Sequence, residues 1–344
     1  MPRIRVGQLD VHYQQAGAGP DVVLIHGFTS NLAIWAFSNI LPTLARTYRV
    51  TAYDLRGHGR TSAPPSGYTS DRLADDWHAL HAALGLAPAW IVGHSYGGVV
   101  AMHAAVRHPQ TVAGVILSDA YFPGLAEIEP NVEHVGVWHD LRNTLAASGA
   151  EIGEQVDFDR LLNVVASLTP EQAAAIKNEL GAPGARWLEQ LRPLAGTTAG
   201  RDLFAVAGLD AEQLARVVQP VVALYDEHTP FGATCRWLVE NLPDCRADQV
   251  PGARHLALLE NPAGFVERVA AHLAALVDRP QAPTAAPAAG TASAAGTAPT
   301  AGTAPAAGTA AAVSPNAQAT PNAIAPSAAR ETVARKAVAP RPAR

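Results

Sequence analysis

One short stretch of the chain combines a nucleophilic side chain with a backbone pattern that would activate it. Ser95 stands between Gly93 and Gly97 in the spacing G-x-S-x-G, after the apolar run Trp90-Ile91-Val92 and before a helix-compatible run. A serine at the tip of a strand-to-helix turn needs small neighbours, because strand and helix pass closely there. The turn also leaves the N–H of the next residue, Tyr96, at the positive end of a helix. The pattern predicts a nucleophile and one donor of an oxyanion hole.

A serine hydroxyl is a poor nucleophile at neutral pH and needs a base, an orienting acid and a second oxyanion donor. His255 fits the base, since it lies in a late loop between a short predicted strand and a predicted helix. The N–H of Phe28, after His26-Gly27, is the predicted second donor. His94, beside the nucleophile, is expected to point away from it.

The elements that must position these residues alternate between strands and helices. Predicted strands cover two short segments within 4–14, then 21–25, 49–54, 89–92, 112–117, 221–225 and 246–250. Predicted helices cover 31–46, 71–84, 96–107, 233–242 and 262–277. This alternation implies an α/β fold with a mostly parallel sheet flanked by helices.

The pattern divides the chain into three predicted parts. Residues 1–120 and 218–279 form the α/β core, and residues 121–217, which are helical in pattern, form a cap over the carboxyl edge of the sheet. Residues 280–344 are rich in Ala, Pro, Thr and Gly, and glycines recur every six residues from Gly290 to Gly308 without a large aliphatic residue between them. Such a segment cannot offset its ordering entropy, so we expect a disordered tail.

Composition limits the partners of this chain. The net charge of the 344 residues is -5, and the tail from Pro280 holds five basic residues and one acid, which leaves a net charge of -9 in residues 1–279. An acidic body argues against nucleic-acid binding. No signal peptide or membrane-spanning run is visible, so we expect a cytoplasmic protein with a small-molecule substrate and no membrane partner. The oligomeric state is not predicted.

Other reactive side chains are expected to have no catalytic role. Cys235 and Cys245 are expected to be reduced thiols in that compartment. Two groups of potential metal ligands lack the convergent geometry of a metal site, so none is predicted. They are Asp75, His78 and His81 in one predicted helix, and Glu133, His134, His139 and Asp140 in the cap.

Four motifs in order resemble the α/β-hydrolase superfamily. They are His26-Gly27-Phe28, Asp54-Leu55-Arg56-Gly57-His58-Gly59, Gly93-His94-Ser95-Tyr96-Gly97-Gly98, and Gly252-Ala253-Arg254-His255 with Glu260-Asn261-Pro262. Together, and in the family's order, these motifs extend the resemblance over about residues 4 to 277. The resemblance implies an eight-stranded sheet, a Ser-His-acid triad containing Ser95 and His255, a helical cap between the sixth and seventh strands, and neither metal nor organic cofactor. Asp54, Arg56 and His58 are expected to form a structural turn network.

The sequence departs from the family pattern at the acid. Most members carry an aspartate after the seventh strand, where this chain has Thr229, which has no charge to stabilise an imidazolium. Some members take the acid from the end of the sixth strand, where Asp119 stands, and this preserves the order Ser, acid, His. We therefore predict Asp119 as the acid, with Asp226 and Glu227 as the alternatives left open.

The predicted activity is hydrolysis of a small to medium ester, lactone or thioester through an acyl-enzyme on Ser95. Six aromatic side chains are predicted either to line an apolar substrate pocket or to form the cap's own core: Tyr121, Phe122, Trp138, Phe158, Trp187 and Phe204. The alternatives are hydrolysis of a carbon–carbon bond in a diketone-like substrate, or a ligand-binding protein that has lost turnover. The distance from the acid to His255 discriminates the last alternative from an enzyme.

Overall fold

A computed structural model describes residues 2–129 and 136–277 of the chain. It contains eight strands in the described residues: β1 (Arg3–Val6), β2 (Leu9–Ala16), β3 (Asp21–Ile25), β4 (Arg49–Tyr53), β5 (Ala89–His94), β6 (Val112–Ser118), β7 (Val221–Asp226) and β8 (Cys245–Val250). All eight join one sheet in the order β1-β2-β4-β3-β5-β6-β7-β8. Only β1–β2 and β2–β4 pair antiparallel, and the other neighbours are parallel. The predicted α/β class with a mostly parallel, eight-stranded sheet is confirmed.

The described residues also contain twelve α-helices. They are α1 (Ala33–Phe37), α2 (Ile40–Leu44), α3 (Ser70–Leu84), α4 (Tyr96–Arg107), α5 (Gly136–Ala147), α6 (Phe158–Ser167), α7 (Pro170–Leu191), α8 (Ala199–Asp202), α9 (Ala211–Ala215), α10 (Gly232–Asn241), α11 (Ala257–Glu260) and α12 (Pro262–Leu276). None of the helices in the described ranges is long and apolar enough to cross a bilayer.

The apolar runs of the sequence are strands that are buried on both faces. In β3, Val22 and Leu24 belong to one apolar cluster, while Val23 and Ile25 belong to another, and all four are 0% exposed. Successive side chains of a strand point to opposite faces, so each run packs against helices on both sides of the sheet. This packing fixes the positions of the carboxyl ends of the central strands.

One predicted helix is wrong in its extent. The segment expected to be a single helix over 31–46 consists of α1 and α2, separated at Asn39, which has a φ of 60°. A continuous helix would place Pro42 in its interior, where proline has no N–H to donate and its ring clashes with the preceding turn. Restarting the helix at Ile40 places Pro42 in a first turn, where proline is tolerated.

The segment between β6 and β7 contains α5 to α9. It has an apolar cluster of its own, built around Leu145, Leu161, Ile176 and Leu191, each 0% exposed. A kink at Gly181, with φ 68° and ψ -171°, divides α7. The predicted disordered tail, residues 280–344, lies outside the described residues.

Candidate active site

Ser95 occupies a strained turn between β5 and α4. Its φ of 51° and ψ of -121° are unusual for a residue with a side chain, and its N–H donates to Ser118 O at the end of β6 (2.8 Å). The flanking glycines make this geometry possible. A Cβ at Gly93 would lie 2.4 Å from Gly97 O, and one at Gly97 would lie 2.3 Å from Ile25 O. The turn therefore requires glycine on both sides of Ser95.

His26 holds the loop after β3 in place through two hydrogen bonds. Its Nδ1–H donates to Gly27 O (2.8 Å), and its Nε2 accepts the N–H of Leu55 (3.0 Å). Burial lowers the pKa of His26, which favours the neutral ring that can both donate and accept. The ring of Phe28, next in the loop, packs edge-on against Tyr96 at a centroid distance of 6.2 Å. The Tyr96 N–H lies in the first turn of α4, where backbone donors have no intrahelical acceptor.

His255 and Asp119 are brought together from distant parts of the chain. His255 Nδ1 donates to Asp119 Oδ2 at 2.7 Å, and the second oxygen of Asp119 accepts the N–H of Asp226 (3.2 Å). Asp119 is fully buried, while the side chain of His255 is 18% exposed. A carboxylate on Nδ1 fixes the tautomer that leaves Nε2 as the basic nitrogen.

The two other candidate acids make different contacts. Asp226 is buried, and its Oδ2 accepts the N–H of Ala257 (3.1 Å), at the start of α11. Glu227 is exposed and accepts the N–H of Gly252 (2.8 Å). Thr229 accepts the N–H of Phe231 (2.9 Å) within its own loop. Of the hydrogen bonds made by Asp119, Asp226, Glu227 and Thr229, the one to the His255 ring is made by Asp119.

His94 lines the same cavity as Ser95, and the expectation that its side chain points away from Ser95 stays a prediction. Its Nε2–H donates to the backbone carbonyl of His255 (2.8 Å), and its ring lies 5.2 Å from the His255 ring. Burial lowers the pKa of His94 to about 3, so the ring stays neutral. One signal for His94 is present in the sequence, a polar residue directly before the predicted nucleophile, but the sequence does not indicate its partner.

A cavity of about 440 Å³ opens over Ser95 and His255. Five of the six predicted aromatic side chains line it: Tyr121, Trp138, Phe158, Trp187 and Phe204. Phe122 does not, since it is 0% exposed and belongs to the apolar cluster beneath the sheet. The prediction missed Phe231 and Gln190, which also line the cavity. Gln190 lies far from any of the four motifs, and Phe231 follows the Thr229 loop, whose pattern concerns the acid and not the pocket.

The Asp54 motif forms a turn network away from the reacting groups. Asp54 accepts the N–H groups of Leu32 (2.7 Å) and Arg60 (2.9 Å) and pairs with His12 Nδ1 (2.6 Å). Arg56 makes a two-pronged ion pair with Asp76. The Asp54 bonds tie β2, the loop after β4 and the start of α1 together, next to the loop after β3.

The predicted metal candidates are engaged with other partners. Asp75 accepts from Arg107 and His108, and the ring of His78 stacks on His108 with centroids 4.2 Å apart. No group of three or more potential ligands in residues 2–129 and 136–277 is arranged to hold a metal ion. Glu133 and His134 lie outside the described residues. Cys235 and Cys245 are both free thiols.

Comparison with known proteins places this architecture in a family. A model of the alpha/beta hydrolase fold matches residues 20–183. The pimeloyl-[acyl-carrier protein] methyl ester esterase of Chromobacterium violaceum is 32% identical over 279 residues, covering 77% of this chain and 98% of that protein. The chain belongs to the α/β-hydrolase family, and it is an enzyme of the hydrolase type.

Further relatives and structures agree with this assignment. A putative non-heme chloroperoxidase of Synechocystis is 38% identical over 141 residues, 39% of this chain and 51% of that protein. The enol-lactonase of Burkholderia xenovorans has the same fold at 20% identity, with a TM-score of 0.58 over 79% of this chain and 100% of that one. Est816, described as an N-acyl homoserine lactone degrading enzyme, has a TM-score of 0.55 at 23% identity, over 78% of this chain and 99% of that one.

Proposed function

We propose that the protein is a serine hydrolase that cleaves carboxylic esters or lactones of modest size, with Ser95, His255 and Asp119 as its triad. The observation that carries the proposal is the 2.7 Å bond from His255 Nδ1 to the fully buried carboxylate of Asp119, because His255 lines the same cavity as Ser95. The relative named as a methyl ester esterase supports an ester as the substrate.

The first half of the reaction transfers the acyl group to the enzyme. The Oγ of Ser95 attacks the ester carbonyl carbon while Nε2 of His255 takes the hydroxyl proton. The buried carboxylate of Asp119 stabilises the imidazolium that forms. The N–H groups of Phe28 and Tyr96 receive the oxyanion of the tetrahedral intermediate. The carbon–oxygen bond to the alcohol then breaks, and the alcohol leaves with the proton from Nε2.

The second half regenerates Ser95. Water attacks the acyl carbon and gives a proton to Nε2 of His255, and the tetrahedral intermediate uses the same two N–H donors. Collapse of this intermediate breaks the bond to Ser95 Oγ, which recovers the proton, and the carboxylic acid leaves. No group beyond these residues and water is needed to balance the reaction.

A binding protein without turnover is the alternative that would follow if no acid reached His255. The Asp119 contact removes the reason for preferring it, because a threonine at position 229 does not leave His255 without a carboxylate.

A fluorophosphonate probe tests the proposal directly. We expect the wild-type protein to be labelled at Ser95 and to hydrolyse 4-nitrophenyl butyrate, and we expect Ser95→Ala to lose both. Labelling of Ser95→Ala at the same rate as wild type, or folded wild-type protein that neither reacts nor turns over an ester, would overturn it.

A further inference from the structure

The cavity wall carries no Asp, Glu, Lys or Arg side chain among the residues that the structure describes. Its two histidines offer no standing positive charge at the start of the reaction. His94 is neutral because burial lowers its pKa to about 3, and His255 must be neutral to act as a base. The sequence of residues 130–135 contains no Lys or Arg either. An anionic group of a substrate would lose its hydration here without gaining a cation, which is costly.

One polar side chain of the wall has a fixed hydrogen-bonding direction. Asn31 Oδ1 accepts the N–H of Ala33 (2.9 Å), and this bond sets the orientation of the Asn31 amide. Asn31 Nδ2 therefore donates to Gln190 Oε1 (2.5 Å), which sets the orientation of the Gln190 amide in turn. The NH2 group of Gln190 is left as a donor, and it makes no hydrogen bond to another of the described residues.

This donor lies among aromatic side chains, and one of these, Trp138, also carries a donor, an indole N–H that has no partner among the described residues. Trp138, Phe158 and Trp187 come from the same helical segment as Gln190, and Phe231 comes from the loop before α10. The hydroxyl groups of Thr29 and Ser30 also line the cavity, but a hydroxyl rotates to donate or accept, whereas the NH2 of Gln190 can only donate. A donor without an acceptor costs free energy when a ligand excludes water, so the matching ligand carries an acceptor.

We propose that the substrate is an uncharged, largely apolar ester that carries a second hydrogen-bond acceptor, such as a ketone, an ether or another ester, and that Gln190 Nε2 binds this acceptor. The inference rests on the proposed function and adds the chemical class of the substrate. It excludes esters that bear a carboxylate or phosphate on the part that enters the cavity.

Matched 4-nitrophenyl esters test the two features together. Heptanoate is apolar, the 4-, 5- and 6-oxoheptanoates move one ketone along the same chain, and hydrogen adipate replaces the terminal methyl group of the 6-oxo ester by a negatively charged oxygen. For wild type, we expect kcat/KM for at least one oxoheptanoate to exceed that for heptanoate by about tenfold. We expect kcat/KM for hydrogen adipate to be at least about 100-fold lower than kcat/KM for heptanoate. Each value is divided by the rate of hydrolysis by hydroxide, so that intrinsic reactivity cancels.

Variants at Gln190 assign the preference to this side chain. Gln190→Met removes the donor, so the ratio of kcat/KM for the preferred oxoheptanoate to kcat/KM for heptanoate should fall to about one. Gln190→Glu retains an oxygen for Asn31 but also lacks the donor, and the ratio should fall in the same way. Gln190→Lys adds a cation and should raise the ratio of hydrogen adipate to heptanoate at least about tenfold. Gln249→Met, on an exposed position of β8, is the control and should keep the wild-type ratios.

The outcomes separate this inference from the proposed function. The inference alone is overturned if the probe labels Ser95 and the heptanoate ester is hydrolysed, but the corrected kcat/KM for hydrogen adipate lies within tenfold of that for heptanoate. So does an oxoheptanoate preference that survives Gln190→Met, or the absence of any such preference in wild type. Failure of labelling and of all ester turnover in folded wild type overturns the proposed function and this inference with it.

Discussion

Asp226 and Asp119 lie side by side beneath His255, and the backbone N–H of Asp226 donates to Asp119 Oδ1 at 3.2 Å. The other oxygen of Asp119 bonds to the His255 ring, while the carboxyl of Asp226 holds the N–H of Ala257, two residues further along. One residue thus supports both the acid and the loop of the base. Burial, followed by the nearby charge of Asp119, raises the pKa of the Asp226 carboxyl, which therefore keeps its proton to higher pH than an exposed aspartate.

Asp119→Asn should abolish most of the activity while the protein stays folded. An asparagine can fill the same volume but cannot stabilise an imidazolium, and it can hold His255 in the wrong tautomer. We expect kcat for 4-nitrophenyl butyrate to fall by about 10⁴ with a small change in KM. Glu227→Gln, at an exposed position, is the matched control and should retain wild-type kcat. A loss of less than tenfold in Asp119→Asn would move the role of the acid elsewhere.

Asp226 should make the stability of the fold decrease from acid to neutral pH. Burial, followed by the nearby charge of Asp119, raises the pKa of Asp226 from 3.8 to about 7. Between these two values the folded protein binds a proton that the unfolded chain releases, so the free energy of unfolding falls as pH rises, and above pH 7 the effect is complete.

Asp226→Asn tests this linkage, since the amide oxygen can still accept the N–H of Ala257. We expect the melting temperature of the variant to exceed that of wild type by more at pH 8 than at pH 5, measured by thermal unfolding at constant ionic strength. Equal differences at the two pH values would show that Asp226 ionises with an ordinary pKa.

His94 should act as a positioning residue for His255. Its Nε2–H donates to the His255 carbonyl from a buried site, so His94→Ala removes the support of that loop and leaves a void. We expect kcat to fall about 10- to 100-fold, because small displacements of a base are costly. His94→Gln can donate from its amide and should recover part of the loss, with the acid limb of the kcat/KM profile closer to wild type.

The control for this prediction is His139→Ala, at an exposed position of α5. It should leave kcat within twofold of wild type. If His94→Ala also remains within twofold, the bond to the His255 carbonyl does not position the base.

Gly97→Ala should prevent the close approach of α4 and β3. The added Cβ would lie 2.3 Å from Ile25 O and 2.7 Å from His26 O, both rigid backbone atoms. We expect a loss of about 3 kcal/mol or more in the free energy of unfolding, measured in urea. Gly85→Ala provides the comparison: its φ is 60° but no atom lies within 4 Å of the added Cβ, so it should cost only about 1–2 kcal/mol. Similar losses for the two variants would contradict the steric argument.

The sequence predicted the sheet well because buried parallel strands have a strong local signature. Runs such as Val22 to Ile25 and Val221 to Tyr225 are apolar without interruption, and each ends at a polar or glycine-containing loop. Since the carboxyl ends of parallel strands meet at one edge, the residues after β5 and β6 had to lie close together. Asp119, directly after β6, is therefore expected near Ser95, although Thr229 occupies the usual position of the acid. The catalytic role of Asp119 stays a prediction.

Other features depend on contacts that no local pattern contains. The break at Asn39 is the exception, because Pro42 is a local signal against a continuous helix over 31–46. The burial of Phe122 and the exposure of Phe204, at 38%, follow from how the segment after β6 packs on the sheet. The bond between Asn31 and Gln190 joins residues 159 positions apart, and only the folded chain reveals it.

The helical segment between β6 and β7 supplies Trp138, Phe158, Trp187 and Gln190 to the cavity, but none of the groups to which we assign the bond-breaking steps. Much of the cavity wall is therefore encoded in a different stretch of the gene from the residues to which we assign the chemistry. We therefore expect substitutions in residues 136–204 to change which compounds are accepted, while Ser95, His255 and Asp119, the residues of the proposed triad, stay unchanged.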